Sequence, residues 1–125
     1  MSADHDDARG LLALLREGQP QPALTGRIAA CPCGEGVRAG LYLLNGDWER
    51  AHEVAQSMEG PTGAHWHALV HRHEPDYANS KYWLRRAGDS PVFPRLLEAA
   101  QADWTRPLDA LEQRALLALC LEREG

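Results

Sequence analysis

Residues 37–87 read VRAGLYLLNGDWERAHEVAQSMEGPTGAHWHALVHRHEPDYANSKYWLRRA, and this stretch decides the fold. Apolar side chains recur in it at three- and four-residue steps, the mark of helices with one buried face. Breakers cut the pattern into four pieces. Residues 37–44 are expected as one helix, Asn45-Gly46-Asp47 as a turn, and residues 48–58 as a second helix. Glu59-Gly60-Pro61 breaks the chain again, residues 62–73 form a third helix, and Glu74-Pro75-Asp76 turns into a fourth over 77–87. Asp47 and Asp76 both stand where an N-cap carboxylate would accept the free N–H groups of the next helix.

The flanks extend the helical pattern. Leu11, Leu12, Leu14 and Leu15 place a first helix over 6–17, ended by Gly18 and Pro20, and a shorter helix is expected over 23–30. Cys31-Pro32-Cys33-Gly34 then interrupts the chain, because proline cannot continue a helix. Downstream, residues 92–102 form a helix with Phe93, Leu96 and Leu97 inward. Pro107 opens a last one, where Leu108, Leu111, Ala115, Leu116, Leu119 and Cys120 keep the helical spacing. Seven or eight short helices in a single all-α domain over residues 1–125 follow, with residues 37–94 as the informative core.

Composition agrees. One Ile and four Val in 125 residues disfavour a sheet core, and 44% apolar with 25% charged residues suits a globular chain. A net charge of −5 argues against a general nucleic-acid binder. The longest wholly apolar run, residues 115–121, is too short to span a bilayer. An acidic N-terminus and three cysteines point to a cytoplasmic protein without a disulfide framework.

The two halves of the central stretch echo each other. Gly46-Asp47-Trp48 leads to Ala51, and one hairpin later Pro75-Asp76-Tyr77 leads to Ser80. Helix, short turn, aromatic, helix resembles the hairpins of tetratricopeptide and Sel1-like repeats. That likeness implies two antiparallel hairpins capped by the flanking helices, an architecture suited to protein binding.

Four of the six histidines fall within residues 65–73. At about 100° per residue, with His65 at 0°, Leu69, Trp66 and Val70 define a buried stripe near 40–140°. His73 falls inside that stripe, as a core histidine. His65 reads as solvated near the helix start. His67, His71 and Glu74 fall beside the stripe and share one flank, within about 60° of one another. Two imidazoles at i and i+4 with a carboxylate suit one divalent metal, Zn, Fe or Mn, and His52 on the preceding helix can complete the set. The same groups suit general acid–base chemistry. The plain alternative is a histidine-rich helix without a ligand, and the His-Glu-x-x-His motif of zinc proteases is absent because position 68 is Ala.

Residues 65–86 carry Arg72, Lys81, Arg85 and Arg86 against Glu74 and Asp76, a local positive charge in an acidic chain. Lys81, Tyr82, Arg85 and Asn79 on the fourth helix, with His67 and His71, could line a groove for an acidic small ligand or an acidic protein partner. A solvated cationic helix end is the plain alternative. Cys31-Pro32-Cys33-Gly34-Glu35-Gly36 resembles the opening of the SEC-C zinc motif, but the second ligand pair of that motif is missing. Phosphate loops, dinucleotide fingerprints and nucleophile elbows are absent.

Taken together, Gly46-Asp47-Trp48-Glu49-Arg50-Ala51-His52-Glu53, His67-Ala68-Leu69-Val70-His71-Arg72 and Asn79-Ser80-Lys81-Tyr82-Trp83-Leu84-Arg85-Arg86 resemble a family of small uncharacterised helical proteins of bacteria and fungi. The likeness covers residues 39–94 and implies that this region is the functional core. It implies no reaction. Two functions are therefore expected: a helical-hairpin binding module for an acidic ligand, or a metal site, hydrolytic or sensory, on His67, His71, Glu74 and His52.

Overall fold

The structure, a computed structural model, describes residues 7–16, 19–102 and 108–124. They form eight α-helices and no strand: α1 (Ala8–Leu14), α2 (Pro22–Ala30), α3 (Glu35–Leu44), α4 (Trp48–Ser57), α5 (Pro61–His73), α6 (Tyr77–Ala87), α7 (Val92–Ala102) and α8 (Leu108–Arg123). The all-α, single-domain expectation holds. Among the described residues no helix is long and apolar enough to cross a membrane. Asp6, Glu17 and Gly18 at the ends of the expected first helix, and Pro107 before the last, lie outside the described residues.

Helix ends explain where sequence and structure part. Asp7 Oδ1 caps α1 through the Gly10 N–H at 2.8 Å, and the helix closes at Leu14, short of the expected residue 17. Prolines open α2 and α5 one residue earlier than expected, since their fixed φ suits the first helical turn and their missing N–H is no loss there. Gly60, just before α5, takes φ +95°, a conformation that side-chain-bearing residues rarely adopt. Asp76 caps α6 as predicted, accepting from Asn79 N. Asp47 does not cap α4. Its carboxylate accepts from Thr25 Oγ1 at 3.0 Å and from Asn45 Nδ2 at 2.8 Å, so it ties the α3–α4 turn sideways to α2. Asn45 itself is fully buried and exchanges two hydrogen bonds with the Gln21 backbone.

One continuous core joins α1, α2, α3, α4, α5, α8 and, through Val92, α7, with Leu11, Ile28, Val37, Leu41, Trp66, Leu69, Leu116 and Leu117 among its most buried members. Burying a side chain of this size contributes about 1.5–3 kcal/mol. Gly40 lets α3 lie directly on α5 and α8: a Cβ there would sit 2.8 Å from the Trp66 ring and 2.9 Å from Leu117. Helix α5 is central. It packs along α4 and α6, touches α3, and reaches α8 through polar side chains.

Candidate metal centre

The flank of α5 that faces α4 and α6 carries His67 and His71, one helical turn apart. Helix α4 brings His52 against them. The His52 ring lies edge-on to His67 at 4.5 Å and to His71 at 5.3 Å between centroids, and His67 stacks on His71 at 4.9 Å. One ring nitrogen from each of the three lies within 4.8 Å of the others. Nitrogens bound to a tetrahedral ion at about 2.1 Å stand roughly 3.4 Å apart, so side-chain rotations of about an ångström would close the set. Of the four residues expected as ligands, the structure gathers these three histidines.

Each imidazole has a different setting. His67 is buried and lies flat against the Trp83 indole of α6, with centroids 4.0 Å apart and planes 10° off parallel. Burial, with His52 and His71 beside it, pushes its pKa down to about 4, so the ring is neutral and its lone pair is available at neutral pH. His71 is half-buried, and its Nδ1 lies 3.0 Å from Glu74 Oε1 and 3.9 Å from Asp76 Oδ2. A carboxylate on Nδ1 fixes that nitrogen as the protonated one and leaves Nε2 to ligate. Glu74, expected as a ligand, stands outside the convergent set and orients His71 instead.

The other side of the same helix is closed by carboxylates. His65, read from sequence as solvated, is fully buried and bonds through Nε2 to Glu112 Oε2 at 2.8 Å. Arg72 Nη1 bridges Glu112 Oε1 and Asp109 Oδ1, both at 2.7 Å. Burial alone would raise the Glu112 carboxyl, but the His65 and Arg72 hydrogen bonds outweigh it and hold it below the usual range. His73 is half-buried rather than a core residue. Its ring meets Trp48 at 5.2 Å and its Nε2 contacts Gln113 of α8.

The proposed groove residues on α6 are dispersed. Tyr82 is exposed, as are Lys81 and Asn79, and Asn79 donates Nδ2–H to Asp76 Oδ2 at 2.8 Å within its own helix cap. Arg85 is exposed as well, two helical positions past Trp83. A cleft of about 590 Å³ reaches the triad through His67 alone and is lined besides by Trp83, Arg86, Met58, Ala64 and Glu59 among others. Sequence reasoning missed Trp83 and Arg86 as walls of this site, because which face of α6 meets α5 is not encoded in the spacing of α6 alone. Cys31 and Cys33 sit at the α2–α3 break, where Arg38 donates to the carbonyls of Ile28, Ala29 and Cys33. Burial and the neighbouring Cys31 push the Cys33 thiol up to about 12, so the thiol is a poor nucleophile.

Compared with protein-family models, with curated proteins and with solved structures, the chain matches none, and its own geometry has to carry the functional reading.

Proposed function

We propose that this protein binds one divalent transition-metal ion through His52, His67 and His71. The observation that carries the reading is the convergence of three imidazoles from two helices, one buried and neutral, with no carboxylate among the converging ligand atoms. An all-nitrogen set favours Zn or Fe over Mn, which prefers oxygen ligands. Three protein ligands leave a further position for water or a ligand, the arrangement of catalytic and sensory rather than sealed structural sites. Glu74 holds His71 in the ligating orientation, and the Trp83 face holds His67.

Metal content of untagged protein, read by plasma mass spectrometry after purification without nickel resin, tests this. About one equivalent of Zn or Fe is expected, and it should vanish in His71→Ala, a half-buried position whose loss leaves the core intact. Metal-free protein that also fails to take up added Zn(II) would overturn the reading.

A second reading is favoured by one observation. Lys81 and Arg85 are exposed and have no ion pair among the described residues, which suits an acidic partner docking on the outer face of α6. Salt-sensitive binding of a polyglutamate peptide, lost in a Lys81→Ala/Arg85→Ala variant, would support it, and unchanged binding in that variant would remove it.

A further inference from the structure

Arg86 lies in the last turn of α6, on the cleft that His67 also lines. Its guanidinium sits 5.5 Å from the centre of the Trp83 ring and 5.7 Å from that of Tyr82, and Nη1 lies 3.4 Å from the Tyr82 hydroxyl. Two aromatic rings therefore hold the cation in place. Among the described residues it has no carboxylate partner, whereas Arg72 and Arg95 of the same chain are each matched by acids at 2.7 Å. Trp83 links the two ends of the site, stacking on His67 and lying beneath Arg86.

We infer that this cleft receives a small organic carboxylate, its anionic end on Arg86 and its body along Trp83 towards His67, the one histidine of the three that lines it. The inference rests on the metal reading for what the ligand meets at its inner end. Three features choose the chemistry. A guanidinium matches a carboxylate with two parallel hydrogen bonds. The cleft holds one such cation and one exposed acid, Glu59, so it suits a monoanion better than a doubly charged phosphate. Ala55, Met58, Ala64 and Trp83 supply apolar wall for a hydrocarbon or aromatic body, and the volume of about 590 Å³ admits a molecule of benzoate size with room to spare.

Titration of the cobalt(II)-loaded full chain with benzoate tests this, read by the Co(II) visible absorption and by calorimetry. Benzoate is expected to bind saturably and perturb the spectrum, and neutral benzamide to bind at least tenfold more weakly. Arg86→Gln should weaken benzoate about tenfold or more, as loss of a charge-assisted pair does, while Co(II) affinity and melting temperature stay unchanged. Arg86→Lys should fall between. Benzoate that does not bind the Co(II) protein, or binds Arg86→Gln as well as the parent, would overturn the carboxylate subsite with the metal site intact. If Co(II) itself does not bind, the metal reading fails separately. Calorimetry on the metal-free protein then decides: Arg86-dependent benzoate binding upholds the subsite, and its absence ends it.

Discussion

Helix α5 carries histidines on two sides, and the two sides have opposite surroundings. Towards α8, His65 meets the ionised Glu112, which Arg72 also holds, and Arg72 in turn holds Asp109. Arg72 there answers two carboxylates at once, and His65 bonds the second oxygen of Glu112. Towards α4 and α6, His67 meets two more imidazoles and an indole, and Glu74 and Asp76 sit at the rim beside His71. The first side is an ion-pair and hydrogen-bond network that ties α5 to α8, with the buried His65 Nδ1 left without a partner among the described residues. On the second, three imidazoles converge and, among the described residues, only His71 has carboxylates beside it. The facing helix decides the role, since the residue type is the same on both.

The largest effect should come from Glu112→Ala. It strands a buried histidine and half of the Arg72 pairing, and removing one partner of a buried pair costs about 3–5 kcal/mol. A urea midpoint lowered by that much is expected. A shift comparable to that of a surface substitution would mean the α8 side does not lock the helices.

Acid should act next, and on the other side. His67 is held near pKa 4 when folded and returns to about 6.5 when unfolded, so the unfolded chain binds the extra proton between these values. Stability from this group is complete above about pH 6.5 and is lost as pH falls towards 4, by about 1–3 kcal/mol. Denaturation midpoints of metal-free protein at pH 7.5, 5.5 and 4.5 check it, with a His67→Phe variant, which keeps the ring stack, expected to lose much of the slope. Glu112, also held low, adds a drop in the same direction below about pH 5.

Glu74→Gln sharpens the contrast with Glu112. Glu74 stands at an exposed rim position. A change in stability of about 0.5 kcal/mol or less is expected there, as for exposed ion pairs in general. Zn(II) affinity should nevertheless fall about ten- to hundredfold, because the His71 tautomer is no longer fixed. Equal effects of both glutamates on folding would erase the distinction between the two sides.

Much of the fold was legible because helix period and breakers are local. Gly60-Pro61, Pro75-Asp76 and the apolar stripe of Leu69, Trp66 and Val70 place α5 and α6 to within a residue or so. The pairing of His67 with His71 is also local, one turn apart on one helix, and His52 was reachable as a neighbour across a short connection. Glu112 was not legible, because a glutamate among α8 leucines reads as a solvated position until α8 is laid against α5. His65 failed for the same reason, as did Asp47, whose capping role was overridden by Thr25 and Asn45 from elements it meets only after folding.

The sequence by itself therefore determined that the chain is helical, where its helices break, and that α5 presents two histidines on one flank. These follow from backbone geometry repeated every few residues. Only the tertiary structure decided that His65 pairs with Glu112 while His52, His67 and His71 converge, and that Trp83 and Arg86 wall the cleft beside His67. Those facts depend on helices brought together across up to 47 residues of chain, as His65 and Glu112 are, and no local spacing encodes which faces meet.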